Sequence, residues 1–258
     1  MGCMGLTVIT VNYNTTVEVN NIECLFSGLK NIEYIVVDNS SNFKRKYSST
    51  MVLTGNGNIG FGRACNLAVK SAFYDNILFL NPDVTLTISF VDELRKTLQQ
   101  FDNDAIYGVC VSQTRQSNIY KSKFPFLIYE RRAIARESLS NESLPVTFVS
   151  GACMFISKKR FNFLGGFDEN VFLYAEDLDL CLRNKQENGD NILLTRLTVD
   201  HVGGGSEKNG SRFRLIPALR RLKNSYSGHY VILSKRHNKM LSMITAFYLA
   251  SGLTLAEK

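Results

Sequence analysis

The sequence predicts an α/β fold with a mostly parallel central sheet flanked by helices. Within its first 100 residues, the 258-residue chain alternates short runs rich in β-branched residues with segments patterned as helices. Nearly every position of each run is apolar, as in strands that helices cover on both faces. Polar residues follow each strand directly, at the edge where sheets of this kind bind ligands.

The predicted elements follow one another in a regular order. The predicted strands are residues 6–11, 34–37, 51–53, 77–80, 147–156 and 192–194, and the predicted helices are residues 20–29, 64–73 and 89–100. A helix end and turn are expected at 161–168. Residues 113–145 are polar and basic without a clear period, which predicts a long loop over the site.

Cysteine usage indicates a reducing compartment. The six cysteines are scattered and form no C-x-x-C pair, which is typical of buried thiols and not of a disulfide framework or a zinc site. The apolar run at 6–11 is too short for a secretory signal. We therefore expect a cytoplasmic protein.

The positive charge lies in the C-terminal tail. Of the net charge of +7, residues 1–200 contribute −1 and residues 201–258 contribute +8. A basic tail suggests an anionic partner, but it carries no motif for nucleic acid, which leaves lipid headgroups or a diphosphate. The apolar run at 240–250 is short for a membrane span. Both an interfacial helix and a helix docked on the domain fit it.

Three acids fall within four positions of an otherwise apolar stretch, namely Glu176, Asp177 and Asp179. Carboxylates are rarely buried unless they are paired, bind a metal or do chemistry. On a helix, Asp179 would pair with Arg183 four residues on. Asp177 lies about 100° away from Glu176 and has no such partner, so it is the candidate for proton transfer. The alternative is that these acids only complement the helix dipole.

A glycine-rich loop at residues 55–60 matches G-x-G-x-x-G between a strand and a helix. In the dinucleotide fingerprint the loop follows the first strand and the ribose-binding acid comes later. Here the loop follows the third strand and Asp38 precedes it, which argues against a dinucleotide fold. We expect a backbone that a nucleotide approaches closely, with Asn66 within reach on the next helix.

Several motifs in a fixed order carry a family resemblance. They are Val11-Asn12-Tyr13-Asn14, Val36-Val37-Asp38-Asn39-Ser40-Ser41, Gly57-Asn58-Ile59-Gly60-Phe61-Gly62 with Asn66, Leu80-Asn81-Pro82-Asp83, Gly151-Ala152, Gly165-Gly166-Phe167-Asp168, Glu176-Asp177-Leu178-Asp179, and His201 with Gly203-Gly204-Gly205-Ser206. The set resembles the inverting family 2 glycosyltransferases of the GT-A type, closest to bacterial rhamnosyltransferases of O-antigen and cell-wall assembly. It covers roughly residues 6–206.

The resemblance implies a domain organisation and a donor site. Residues 1–206 would form the GT-A domain, with a nucleotide-sugar half at 1–100 and an acceptor and catalytic half at 101–206. Residues 207–258 would be a basic, partly amphipathic helical tail. The implied donor-binding residues are Asn12, Asn14, Asp38, Asn39, Gly57, Gly60, Phe61, Gly62, Asn66 and Asn81.

The resemblance also implies a metal site and a general base. Asp83 takes the place of the metal-binding acid of the family's D-x-D motif, with Asn81 at its first position, and His201 resembles a later ligand of Mn²⁺ or Mg²⁺. Asp177 would be the base that deprotonates the acceptor hydroxyl. Glu176 would orient the acceptor or the base.

The expected function is transfer of L-rhamnose from dTDP-L-rhamnose to a lipid-diphosphate-linked sugar at the cytoplasmic face of the inner membrane. A UDP-sugar donor and a catalytically silent homologue, which Asn81 would favour, remain alternatives. A nucleotidyltransferase is disfavoured because Asn12-Tyr13-Asn14 stands where that class has a basic glycine loop. The oligomeric state stays open.

Overall fold

A mixed sheet with helices on both faces forms the body of the protein. The computed structural model describes residues 5–54, 57–98, 102–111, 119–123, 128–132, 143–201 and 215–251. The strands are β1 (Leu6–Asn12), β2 (Ile32–Asp38), β3 (Thr50–Leu53), β4 (Asn76–Leu80), β5 (Val84–Thr85), β6 (Ile106–Val111), β7 (Ile119–Lys123), β8 (Ile128–Arg132), β9 (Ser143–Pro145), β10 (Cys153–Ser157) and β11 (Asn191–His201). The helices are α1 (Thr16–Phe26), α2 (Phe61–Ser71), α3 (Ile88–Leu98), α4 (Lys158–Phe163), α5 (Glu176–Gln186), α6 (Leu215–Ser234) and α7 (Lys239–Ser251).

The sheet runs in the order β3-β2-β1-β4-β10-β6-β11-β5, with β9 paired to β11. The first four strands in this order are parallel, which confirms the predicted α/β fold with a mostly parallel sheet. β10 lies antiparallel between β4 and β6. The carboxyl ends of β1, β2, β3 and β4 therefore share one edge, and the segment that leads into β10 arrives at that same edge.

The region predicted as one long loop, residues 113–145, contains strands where the structure describes it. β7 pairs with β8 as an antiparallel hairpin, and β9 pairs with β11. The prediction was wrong here because these strands are short and polar, so no apolar period marks them. Backbone pairing holds a strand whether or not its side chains alternate.

The strand predicted at 147–156 is shorter than expected. Only Cys153–Ser157 pairs with neighbours, and Gly151 and Ala152 form a turn just before it. Val146, Phe148 and Val149 are buried, so their apolar character reflects packing under the sheet and not strand pairing. The turn at Gly151 is what delivers this segment to the site.

Two apolar layers cover the sheet. One contains residues of α2, α4 and α5, and the other contains residues of α1 and α3. Phe79 of β4, Phe161 of α4 and Phe167 pack against one another with ring centroids 5.1–5.3 Å apart. This aromatic group fixes the turn at residues 165–168, which precedes the acid cluster.

The two C-terminal helices form a hairpin that packs on the body. Ile232 of α6 belongs to the α5 side of the core, and Gly228 lies against the carbonyl oxygen of Tyr174. The two structures that the sequence left open concern the run at 240–250, which lies in α7, and the contacts with the body described here are those of α6. Among the described residues, no helix is both long and apolar enough to cross a bilayer.

Candidate active site

Asn12 ends β1 and holds Asp38 at the end of β2. The parallel register places the two residues opposite each other, and Asn12 Nδ2 donates to Asp38 Oδ1 at 2.8 Å. Asn12 Oδ1 accepts from the backbone N–H of Thr15 at 3.1 Å. Asn12 is fully buried, so these contacts use its polar groups inside the protein. Contact of Asn12 with a nucleoside stays a prediction. In the structure, its side chain holds Asp38 in position.

Asp38 is an ionised anchor for the loop after β2. Its Oδ1 accepts from the backbone and hydroxyl of Ser40 at 3.0 and 2.7 Å, and its Oδ2 accepts from the backbone N–H of Phe43 at 2.7 Å. Burial alone would raise the pKa of Asp38, but the hydrogen bonds from Phe43 and Ser40 hold that pKa below its usual value. The carboxylate therefore fixes the loop that borders the predicted base-binding site.

Asn39 joins this strand end to the glycine loop. Its Nδ2 donates to the carbonyl oxygen of Gly60 at 3.2 Å. Its backbone N–H donates to the carbonyl oxygen of Asn12 at 2.9 Å. Asn39 Oδ1 is buried and has no hydrogen-bond partner among the described residues. An unpaired buried acceptor costs about 1–3 kcal/mol, which a donor group on a ligand would recover.

Gly60 brings the glycine loop against the loop before α5. Its φ of +87° is in the left-handed region that favours glycine, and a Cβ there would lie 2.4 Å from the carbonyl oxygen of Phe172. The backbone N–H of Phe61 donates to the same oxygen at 3.2 Å. Only glycine can lie this close to the carbonyl oxygen of Phe172. The contact joins the predicted donor loop to the segment that carries the acids. Gly57 also has a positive φ, of +61°.

Asn66 clamps the turn that precedes the acid cluster. Its Nδ2 donates to the carbonyl oxygen of Phe167 and its Oδ1 accepts from the N–H of Phe167, both at 2.9 Å. Gly62 lies beneath the same residue, where a Cβ would be 3.0 Å from Phe167 Cβ. The side chain of Phe61 packs on that ring at 6.0 Å between centroids. For these three residues the structure shows a supporting role, and direct donor contact stays a prediction.

Asn14 is exposed, unlike most of the predicted donor residues. It follows β1 with φ +58°, in the left-handed region that asparagine tolerates. Its side chain therefore stands at the sheet edge, where a ligand can reach it.

Asn81 and Asp83 follow β4 and lie beside the segment that enters β10. The backbone N–H of Asn81 donates to the carbonyl oxygen of Ala152 at 2.8 Å. Val84 of β5 pairs with His201 of β11, so the backbone of His201 lies opposite the residue that follows Asp83. The sheet thus brings the backbones of two predicted ligands near each other, although they are 118 positions apart in sequence. Among the described residues, no group of three or more His, Cys, Asp or Glu side chains converges.

The residue types at these positions fit a divalent cation, and their ligation of one stays a prediction. Asp83 has a carboxylate and Asn81 is half-buried with an amide oxygen, whereas the His201 side chain, an imidazole compatible with Mn²⁺, lies outside the described part of the structure. Two or three protein donors suffice where phosphate oxygens and water complete the coordination.

Asp177 lies in the first turn of α5 and is oriented by backbone N–H groups. Its Oδ2 accepts from Gly151 at 2.9 Å and its Oδ1 from Leu178 at 2.8 Å. Gly151 precedes Ala152, which bonds Asn81, so one short segment connects the acid to the metal-binding motif. The two residues before α5, Tyr174 and Ala175, both have left-handed φ values near +70°. Strain of this kind persists where the surrounding structure imposes it and is common at functional sites.

Burial gives the two neighbouring acids, Asp177 and Glu176, different pKa values. Burial raises the pKa of Asp177 to about 6, in part offset by the N–H groups of Gly151 and Leu178. Burial, and then the charge of Asp177, raises the pKa of Glu176 to about 8. Asp177 is half-buried, whereas Glu176 is only 7% exposed. Glu176 Oε2 has no hydrogen-bond partner among the described residues. Burial, and then the proximity of the Glu176 carboxyl group, raises the pKa of the Cys65 thiol of α2. This position suits the base-orienting role of Glu176 better than contact with an acceptor.

Asp179 is structural, and its partners include two that the sequence did not suggest. Arg183 Nε contacts its Oδ2 at 2.7 Å, as the spacing of four residues predicted. Lys235 and Arg236, just beyond α6, also reach this carboxylate. Sequence reasoning missed them because no local pattern links positions more than 50 residues apart. The basic character of the tail was the sequence feature that could have indicated cations from this region as partners of a buried acid.

Similarity to known proteins agrees with this geometry. Residues 7–164 match the family model described as glycosyl transferase family 2. The chain belongs to glycosyltransferase family 2. The predicted family and enzyme class are therefore confirmed, and the motifs identified in the sequence lie within and just beyond this match.

Three family relatives carry curated names. The rhamnosyltransferase WbbL of Escherichia coli K12 is 28% identical over 63% of this chain and 69% of its own length. An N-acetylglucosaminyl-diphospho-decaprenol L-rhamnosyltransferase of Mycobacterium tuberculosis is 25% identical over 75% of this chain and 70% of its own length. The low-salt glycan biosynthesis hexosyltransferase Agl10 of Haloferax volcanii is 26% identical over 71% of this chain. The match spans 62% of Agl10, less than two thirds of its length.

Solved structures confirm the GT-A fold. GalNAc-T7 with UDP, GalNAc and Mn²⁺ superposes with a TM-score of 0.63 at 11% identity, over 97% of this chain and 56% of that one. The mannosyltransferase PcManGT of Pyrobaculum calidifontis with GDP-Man and Mn²⁺ gives a TM-score of 0.59 at 14% identity, over 97% and 76%. At these identities the likeness establishes the fold alone.

Proposed function

We propose that this family 2 protein transfers a sugar from a nucleotide-diphospho-sugar to an acceptor hydroxyl with inversion at the anomeric carbon. The observation that carries the proposal is the carboxylate of Asp177. It is half-buried and oriented by the N–H of Gly151, the residue before Ala152, whose carbonyl oxygen accepts from Asn81. A base held rigidly at a nucleotide-binding sheet edge is what inverting transfer requires.

Asp177 accepts the proton of the acceptor hydroxyl as that oxygen forms its bond to the anomeric carbon. The bond from the anomeric carbon to the diphosphate oxygen breaks on the opposite face, and the nucleoside diphosphate leaves with the electron pair. A pKa of about 6 keeps Asp177 ionised at neutral pH and makes it a stronger base than an ordinary carboxylate. Glu176 stays protonated behind it, which avoids a second negative charge in the same buried site.

Asp83, Asn81 and His201 would hold a divalent cation, Mn²⁺ or Mg²⁺, which when bound neutralises charge on the diphosphate. Two structural neighbours were solved with Mn²⁺, and this supports the assignment. The exposed Asn14, the open acceptor atom of Asn39 and the glycine loop would bind the nucleoside and diphosphate.

L-rhamnose from dTDP-L-rhamnose is the proposed donor group, and a lipid-diphosphate-linked sugar the proposed acceptor. Two relatives are named as rhamnosyltransferases, and one of those names specifies a decaprenol-diphosphate-linked sugar. A UDP-sugar is the alternative donor, since a structural neighbour binds UDP.

The surface of α7 supports action at the cytoplasmic face of the inner membrane. Met240, Met243, Ile244 and Phe247 are exposed on one side of α7, whereas Ser242 and Ala246 are fully buried on the other. We call these four residues the apolar stripe. The hairpin of residues 215–251 has six Lys and Arg residues and no Asp or Glu. Apolar area beside positive charge fits an anionic lipid surface.

The proposal is tested by calorimetric titration with dTDP, UDP and GDP, each with and without Mn²⁺, followed by transfer assays. Tight binding of dTDP with Mn²⁺ and transfer from dTDP-L-rhamnose are expected. Binding of none of the three nucleotides would disprove the transferase. Preference for UDP would change the donor and leave the reaction class intact.

Asp177→Asn tests the base. The variant keeps the shape of the site and one of the two backbone contacts, since an amide has a single acceptor oxygen, so nucleotide affinity should stay within about twofold while transfer falls by roughly 10²–10⁴. Asp92→Asn, at an exposed position of α3, is the matched control and should transfer normally. Transfer by Asp177→Asn within a few-fold of wild type would assign the base to another residue.

A further inference from the structure

A buried carboxylate on the acid helix depends on cations from the C-terminal hairpin. Asp179 is fully buried two residues after the proposed base. Arg183, on the same helix, contacts its Oδ2 at 2.7 Å. On the other side, Lys235 Nζ lies 3.5 Å and Arg236 Nη1 lies 3.6 Å from its Oδ1.

Arg183 alone does not serve both oxygens of Asp179. Its two Nη groups donate to the carbonyl oxygens of Leu164 and Gly166, so its Nε is what serves the carboxylate. Asp179 Oδ1 accepts no hydrogen bond from the described residues. Lys235 and Arg236 therefore supply the positive charge nearest this oxygen. Removing one partner of a buried charge is costly because the remaining charge stays uncompensated.

Lys235 also fixes the segment that leads into α5. Its Nζ pairs with Asp168 as well as with Asp179, and so joins the turn at 165–168 to the first turn of α5. Between these points lie the strained residues Tyr174 and Ala175. Gly228 of α6 packs against the carbonyl oxygen of Tyr174, so the hairpin meets the acid segment on both sides of Asp177.

We propose that Lys235 and Arg236 are positioning residues for Asp177, and that the C-terminal hairpin is thus a working part of the active site. Through Asp179 and Asp168 the two cations hold the first turn of α5 where Gly151 donates to Asp177. Misplacing a catalytic group by about 1 Å costs as much as hundredfold in rate. The inference rests on the proposed transferase function.

The kinetics of three variants distinguish a positioning role of Lys235 and Arg236 from a general structural role. Lys235→Ala with Arg236→Ala should lower kcat by about tenfold to hundredfold and leave the donor KM within about twofold. The charge-preserving pair Lys235→Arg with Arg236→Lys should restore kcat to within about threefold. Lys223→Ala, which removes an exposed cation from α6, is the matched control and should match wild type.

The effect of the cations on kcat should depend on Asp179, which gives a second kinetic test. In an Asp179→Asn background the side chain is an uncharged amide that needs no cation, so Arg236→Ala, which removes the ion pair with Asp179, should lower kcat by less than about threefold. A full effect of Arg236→Ala in that background would overturn the inference, since Arg236 would then act without the carboxylate. Transfer by the double alanine variant within about twofold of wild type would overturn it as well.

Hydrogen–deuterium exchange tests positioning without any transfer assay. The double alanine variant should exchange faster than wild type at residues 172–183, and the Lys223→Ala variant should not. Unchanged exchange there would refute the inference even if donor and acceptor were unknown. Absence of transfer by the wild-type protein would instead count against the proposed function. If the double variant does not fold, Arg236→Gln alone gives the same comparison.

Discussion

Glu176 and Asp177 are adjacent in sequence but lie in different environments. Glu176 is turned into the core towards Cys65, whereas Asp177 is half-buried and bonded to Gly151. Two carboxylates whose surroundings separate their pKa values can take different protonation roles at one pH. The sequence placed Asp177 apart from its neighbours by helix geometry alone. It could not show that Glu176 is buried, because burial depends on α2.

Glu176→Gln tests this assignment through stability. The pKa of Glu176 is raised from 4.5 to about 8, so the native state holds a proton that the unfolded chain releases. Its contribution to stability is complete below the unfolded pKa and is lost as the pH rises through about 8. Glutamine does not titrate. The melting temperature of the variant minus that of wild type should therefore increase between about pH 5 and pH 8. Calorimetric scans that give a constant difference would contradict the buried, protonated Glu176.

Contacts between helices and strands that are far apart in sequence assemble the site. β10 pairs antiparallel with β4, and this brings the turn at Gly151 beside Asn81 and the first turn of α5. Asn66 of α2 clamps Phe167 across 101 positions. Apolar periodicity located α1, α2 and α3 within about four residues, since each covers the sheet with one face. The β7–β8 hairpin was missed because its strands are short and polar, whereas β6, Ile106–Val111, is an apolar run that the sequence analysis did not assign.

Gly228→Ala tests the docking of α6 against the acid segment. Alanine in a helix interior is ordinarily favoured over glycine by about 1 kcal/mol. Here its Cβ would lie 2.1 Å from the carbonyl oxygen of Tyr174, so the helix or the strained loop must move. We expect a loss of about 1–3 kcal/mol in the free energy of unfolding, measured by denaturant titration. Gly28→Ala has no atom within 4 Å of its Cβ and is the control. Equal stability of the two variants would mean that α6 does not pack as described.

At the scale of the whole molecule, charge is divided between a near-neutral body and a basic C-terminal region. A second copy of the chain would set six positive charges of the hairpin against six more, which favours an anionic surface as the partner of α7. The hairpin thus has an inner side that holds the acid helix and an outer side proposed to meet lipid. Docking and surface binding, which the sequence presented as alternatives for the tail, are compatible because they use different faces.

Vesicle co-sedimentation tests the apolar stripe. Met243→Ser with Phe247→Ser removes two exposed side chains, each worth about 1.5–3 kcal/mol when buried, so binding to phosphatidylglycerol vesicles should fall by about tenfold or more. Phe73→Ser, an exposed apolar position on the body, is the control and should pellet as wild type does. Vesicles of phosphatidylcholine alone should bind more weakly. Equal pelleting of the double variant would refute contact through α7.

The sequence by itself determined the fold class and the family motifs in their order, and it indicated Asp177 over Asp179 as the candidate base. Each of these follows from local signals: strand and helix periods, residues at strand ends, and a partner four positions away. The tertiary structure decided that Asn12 and Asn66 support other groups, that Glu176 is buried, and that Lys235 and Arg236 reach Asp179. These contacts join segments that are 26 to 101 positions apart in the chain. No local pattern encodes them, because the packing of helices on the sheet selects which polar groups meet.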